Sequence, residues 1–107
     1  MPKYLFQGAY IGDGLKGLAV EGGTSRVEAA RQLFASLGGT LEQFYFAFGP
    51  DQLIVIADLP DNQAATAFSL AINNTGKARG YVTPLMTPEE MDQAISKSAE
   101  YRAPGES

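Results

Sequence analysis

The chain contains no cysteine and no histidine. Without cysteine there is no disulfide framework, no thiolate nucleophile and no thiolate-held iron–sulfur cluster. Without histidine there is no Ser–His pair, and a Cys/His zinc centre or a haem held by His or Cys is excluded as well. A metal would have to sit on carboxylates, hydroxyls, carbonyls or Met, a donor set that suits Mg or Ca weakly. No metal site and no cofactor are therefore expected. Basic residues are also few. Eight Lys and Arg against twelve Asp and Glu leave a formal net charge of −4, and the eight are scattered. Neutralising a phosphate backbone needs a basic cluster, so a nucleic-acid partner is not expected. No run approaches the ~18 uninterrupted apolar residues of a membrane span. Met1-Pro2-Lys3-Tyr4 leads straight into a strand pattern with no signal-peptide character. The expectation is a cytoplasmic protein that keeps off the membrane.

What is present is an ordinary globular composition, 45% hydrophobic and 19% charged over 107 residues. That is enough for one modest core and too little for two, so one domain is expected over 1–107.

Residues Lys3 to Tyr10 read as a first strand. The segment about 11–24 is rich in glycine and reads as a loop that includes one helical turn. Ser25 and Glu28 have capping-box spacing, and Val27, Ala30, Phe34 and Leu37 follow as one helix face ending at Gly38-Gly39. Two strands, Thr40 to Phe48 and Gln52 to Leu59, flank Gly49-Pro50-Asp51, a hairpin signal. Asp61 or Asn62 caps a second helix to about Asn74, with Ala64, Ala67, Phe68, Ala71 and Ile72 as its inner face. Gly76 stops it. Lys77 to Met86 reads as the fourth strand. Thr87-Pro88-Glu89-Glu90 then starts a last helix with a cap residue, a first-turn proline and first-turn acids. Met91, Ala94, Ile95 and Ala99 lie on one side of it, and it frays into a tail over about 103–107. The order β-α-β-β-α-β plus a helix predicts an α+β, ferredoxin-like fold with an antiparallel sheet.

The hairpin fixes which residues share a sheet face. Phe44 and Phe46 fall in step with Leu53, Val55 and Ala57, a wholly apolar set that is assigned to the helix-covered face with Tyr4, Phe6, Ala78, Gly80 and Val82. The opposite face holds Leu5, Gln7, Ala9, Gln43, Tyr45, Ile54, Ile56, Asp58, Arg79, Tyr81 and Thr83. A sheet face turned to water should be polar, and this one is mixed. Its apolar centre implies a covering second copy, in a flat dimer or a closed barrel with a small cavity.

Gly12-Asp13-Gly14-Leu15-Lys16-Gly17 spells a dinucleotide fingerprint, but the chain has no room for a doubly wound sheet, and a loop is the favoured reading. Gln7, Tyr45, Asp58 and Arg79 are the candidate ligand-binding residues. With strand order 4-1-3-2, Gln7 is expected between Arg79 and Asp58. Solvated or interface-paired charges are the simpler account of that set. The aromatic residues read as core rather than as a base-stacking platform, which would carry basic neighbours.

The run Ser36-Leu37-Gly38-Gly39-Thr40-Leu41-Glu42, then Phe44-Tyr45-Phe46-Ala47-Phe48-Gly49, Leu59-Pro60-Asp61-Asn62 and Thr87-Pro88-Glu89-Glu90 resembles the GYD domain family of small bacterial proteins. Gly49 and Asp51 stand at the positions of the Gly-Tyr-Asp signature, and Pro50 replaces its tyrosine. The resemblance implies a ferredoxin-like fold of the dimeric α/β-barrel type and brings no catalytic residues with it. Relatives by fold include cofactor-free monooxygenases and isomerases, although fold alone does not give function. Three readings stay open. The first is a homodimer or higher oligomer binding a small organic molecule between sheet faces. The second is a cofactor-independent enzyme with Asp58 as base and Arg79 or Tyr45 stabilising negative charge. The third is a purely structural oligomer subunit.

Overall fold

The computed structural model describes residues 1–106; the last residue of the tail expected over 103–107 lies outside the described residues. The elements follow in the order β1 (Lys3–Tyr10), α1 (Gly14–Glu21), α2 (Gly23–Ser36), β2 (Thr40–Phe46), β3 (Leu53–Asp58), α3 (Asn62–Asn73), β4 (Ala78–Pro84) and α4 (Pro88–Ser96). The strands form one antiparallel sheet in the order β2-β3-β1-β4. This is the expected ferredoxin-like α+β arrangement with an additional C-terminal helix.

The predicted parity holds. Phe44 lies opposite Val55 and Phe46 opposite Leu53, with the hairpin closed by the Ala47 amide on the Gln52 carbonyl at 2.8 Å. Tyr4, Phe6, Leu53, Val55 and Ala57 of the sheet are buried with Phe34 of α2 and Ala65 and Phe68 of α3. Three rings lock the layers together. Phe34 stacks on Phe68 at 4.4 Å between centroids, and Phe6 meets Phe68 edge-on at 5.1 Å. Gly80 makes room for this, since a Cβ there would come within 2.3 Å of the Phe6 ring. Two details of the expected core differ. Phe46, at the end of its strand, is partly exposed, and on α3 it is Ala65 that is buried while Ala71 faces solvent. The spacing Ala65, Phe68, Ile72 is what aims Phe68 squarely at the sheet.

The glycine-rich segment is not a loop. Residues Gly14–Glu21 form α1, and α2 starts at Gly23, two residues before the expected cap. The Ser25/Glu28 capping box does not form, because Ser25 already lies inside the first turn. Gly22, at φ 87°, is the corner between the two helices. Gly14 presses so closely on the Lys77 carbonyl that a Cβ would overlap it. That docking, rather than helix propensity, organises α1. Of the fingerprint glycines, Gly14 thus serves a tight approach to the Lys77 carbonyl just before β4, whereas a Cβ at Gly17 would meet open space.

Both outer strands are blunted. In β2 the register slips between Leu41 and Gln43, leaving Glu42 in a bulge. In β4 the carboxamide of Asn73, from the end of α3, brackets Gly80. Its Oδ1 accepts from the Gly80 amide at 3.0 Å and its Nδ2 donates to the Gly80 carbonyl at 3.2 Å.

The last helix starts as predicted, with a complete capping box between Thr87 and Glu90 and a proline in the first turn. Yet no residue of α4 is buried. The molecule measures 59 × 32 × 23 Å with a radius of gyration of 17.1 Å, against about 13 Å for a compact chain of about this length. The helix projects as an arm.

Candidate ligand-binding site

The open sheet face carries the residues singled out in the sequence, and the register spreads them along it. Gln7 lies mid-strand in β1, between Ile54 of β3 and Tyr81 of β4. Tyr45 is opposite Ile54 and well exposed. Arg79 is paired with Ala9 near one end of β1, whereas Asp58 is paired with Lys3 at the other. Six residues of strand separate these two levels, about 20 Å at the usual rise. Gln7 is therefore not sandwiched between Asp58 and Arg79 within one chain. The displacement follows from the strand ends: Asp58 closes β3, and the antiparallel pairing carries that end to Lys3.

Asp58 instead belongs to an ion cluster. The Lys3 ammonium donates to Asp58 at 3.1 Å and also to Glu42, which the β2 bulge brings within reach. The hydrogen bond to Glu42, then that to Asp58, holds the Lys3 ammonium above its ordinary value of 10.5. At the other end of the face, the Tyr81 phenol donates to Asp51 at the hairpin tip at 3.0 Å, which pushes its own ionisation upward. Gln7, Tyr45 and Arg79 hold no side-chain hydrogen bond or ion pair among the described residues.

A more enclosed site lies on the other side of the sheet, where α1 turns into α2. An apolar cavity of about 80 Å3 sits beneath α2, walled by Phe6, Phe44, Phe68 and Ile72 and roofed by Ala29 and Ala30. One water needs only ~10–15 Å3 of such space, so the cavity takes a group of several heavy atoms. It exists because two successive helix positions over the aromatic strands are alanine, and Ala78 fills little space from below. Tyr10 and Arg26 close its end. The same two residues, with Ile72 and Ala78, also line an adjoining open crevice of about 270 Å3 that reaches Glu21, Thr75 and Lys77. Burial raises the Tyr10 phenol above its ordinary value of 10.0, and the Arg26 guanidinium beside it partly offsets that rise. Arg26 makes a long contact to Glu21, 3.4 Å, in which both side chains remain substantially exposed. Such a pair is weak and exchangeable. The site is a carbon-lined pocket with a guanidinium and an ammonium against one carboxylate at its mouth. Sequence reasoning missed it, although the Ala29-Ala30 pair above an aromatic strand was a visible cue.

No group of three or more Asp and Glu able to hold a metal ion occurs among the described residues, and no helix there is long and apolar enough to cross a membrane. Neither a curated protein nor a solved structure matches the chain. The family model of the GYD domain matches residues 4–95, from the first core tyrosine of β1 into the last turn of α4. The chain belongs to the GYD domain family.

Proposed function

We propose that this protein binds a small organic carboxylate with a compact aromatic or aliphatic body, in the crevice between α2 and the sheet. One observation carries the reading: Arg26 stands at the mouth of an otherwise apolar cavity. The carboxylate replaces Glu21 on the guanidinium fork, a geometry that favours paired oxygen acceptors. Lys77 adds a second positive charge at the entrance, and the apolar body enters beneath Ala29 and Ala30. Pockets of this composition, mainly apolar with few convergent polar groups, are the usual form of a small-molecule site.

Titration of the 15N-labelled protein with phenylacetate, followed by amide NMR, tests this. Shifts should concentrate at Tyr10, Arg26, Ala30 and Ile72, and Arg26→Gln should weaken binding at least about tenfold, the scale of a charged hydrogen bond. Shifts confined to Gln7 and Tyr45, or none at millimolar ligand, would refute the crevice as the site.

A second reading concerns the open face: self-association of two copies through it. Leu5, Ile54 and Ile56 are only half-covered there, with Tyr45 and Tyr81 exposed around them. A two-fold axis running across the strands would set the Arg79 end of one sheet over the Asp58 end of the other, so charge as well as apolar area would match. A ligand held between the faces would then meet Gln7, Tyr45, Asp58 and Arg79 from two chains. Sedimentation of Ile54→Glu against the parent chain tests the contact, and an unchanged sedimentation coefficient would count against it.

A further inference from the structure

The arm poses a physical problem. A helix of nine residues is too short to persist in water by itself, yet α4 buries none of its residues. Met91 and Ile95 form an apolar stripe one turn apart, 45% and 73% exposed. The family match runs through Ile95, so α4 is part of the domain rather than a loose end. The surface is correspondingly large. It amounts to 7333 Å2, against about 5,800 Å2 for a compact monomer of this mass. The excess of about 1,500 Å2 comes from α4 together with the exposed tail that follows it, and is of the size that a subunit interface removes.

The same chain carries an unfilled apolar groove. Leu15 and Leu18 of α1 face Phe46 and Phe48 of the hairpin across Tyr10, around about 250 Å3 of space. The Phe48 ring is completely exposed. Arm and groove cannot meet within one chain. The groove lies at the Tyr10 end of β1, next to Gln52, whose side chain accepts from the Tyr10 amide at 3.0 Å. The arm leaves from the other end, where Pro84 pairs with Tyr4 and the Leu85 amide bonds Lys3. Along β1 these ends stand about 20 Å apart, and no residue of the arm is buried against its own chain.

We infer that α4 docks in the groove of a second copy, Met91 and Ile95 entering between the leucines of α1 and the phenylalanines of the hairpin. The charges agree. Residues Pro88–Ser96 carry Glu89, Glu90 and Asp92 and no base, while Lys16, without an ion pair among the described residues, stands on the flank of α1 beside the groove-facing Leu15. The inference rests on self-association with the two sheets running in opposed directions, which brings the arm end of one copy to the groove end of the other. The arm then passes around that end to the helix-covered side, where Phe46 meets Gly23. Exchange of two arms closes the pair, so each chain both gives and receives.

The absence of native cysteine makes the test clean. Phe48→Cys and Ile95→Cys chains, one of them isotope-heavy, are mixed and treated with a short bismaleimide. Both positions are exposed, so neither change threatens the fold. The mixture should give a heavy–light covalent dimer several-fold faster than either chain alone. In the parent sequence, Met91→Glu with Ile95→Glu should weaken association at least about tenfold. A dimer in sedimentation without the 48–95 cross-link would overturn the arm contact and leave the sheet-face reading standing. A cross-link within one doubly substituted chain would overturn it too. A chain that stays monomeric at micromolar concentration, its arm free, would overturn both.

Discussion

The Tyr81 phenol reaches across β1 to donate a 3.0 Å hydrogen bond to Asp51, tying the edge strand β4 to the tip of the β2–β3 hairpin. Strand β1 lies between them, with Gln7 paired directly with Tyr81 and the small, buried Ala9 next to it on that face. The tie uses the aspartate of the Gly49-Pro50-Asp51 turn, so the hairpin tip is anchored from the far side of the sheet. Tyr81→Phe keeps the ring and removes the donor. Hydrogen exchange should then quicken across 47–52 with little change in the core amides. Equal exchange at the tip in both proteins would show that the bond orders nothing.

The pH response follows from the tyrosines. Tyr81 is raised by its hydrogen bond to Asp51, and Tyr10 chiefly by burial. For a group whose folded value is raised, the stabilising contribution is fully present below the unfolded value and is lost as pH rises through the folded one. Both contributions should therefore be intact below pH 10.0 and disappear above it. Denaturant melts from pH 8 upward are the measurement, and in Tyr10→Phe the alkaline decline should be shallower. A ligand carboxylate at Arg26 should raise Tyr10 further, because it removes the positive field that now lowers it.

The Phe34–Phe68 stack joins the two helices over the sheet. Phe34 is 2% exposed, and Phe34→Ala leaves a hole between layers that cannot easily collapse. A loss of about 3–5 kcal/mol in urea melts is expected. A loss below 1 kcal/mol would mean that the neighbouring apolar cavity absorbs the change.

Two glycines of α1 separate close approach from backbone freedom. At Gly14 a Cβ would overlap the Lys77 carbonyl, whereas at Gly17 it would meet open space. Gly17→Ala should stabilise by roughly 0.5–1 kcal/mol through helix propensity. Gly14→Ala should detach α1, seen as fast exchange over 14–21 and opening of the adjoining crevice. Similar behaviour of the two variants would contradict the docking of α1 on the Lys77 carbonyl just before β4.

Much of this architecture was legible because parity propagates. Once Gly49-Pro50-Asp51 fixed the hairpin, Phe44 and Val55 had to share a face, and the mixed character of the other face followed. Thr87 to Glu90 was legible because a capping box is wholly local. Helix α1 was not, since two glycines in its eight residues argue against helix, and what organises it is the distant Lys77 carbonyl. The candidate site shows the same division. The faces of Gln7, Tyr45, Asp58 and Arg79 were readable from alternation, but their levels along the strands depended on where each strand ends. Arg26 gave no local sign of its place, because the gap beside it is made by Ala29, Ala30 and Ala78 together.

The treatment of the two outer strands limits how copies of this chain can add to one another. An edge with free amides and carbonyls is a template on which strands can stack without end. Here the bulge at Glu42 bends one edge out of register, and the Asn73 carboxamide already occupies the backbone groups of Gly80 on the other. Growth of the sheet sideways into a ribbon is disfavoured at both margins. Any association between copies would have to use the sheet faces and helices, where backbone pairing cannot propagate as it does along a free edge.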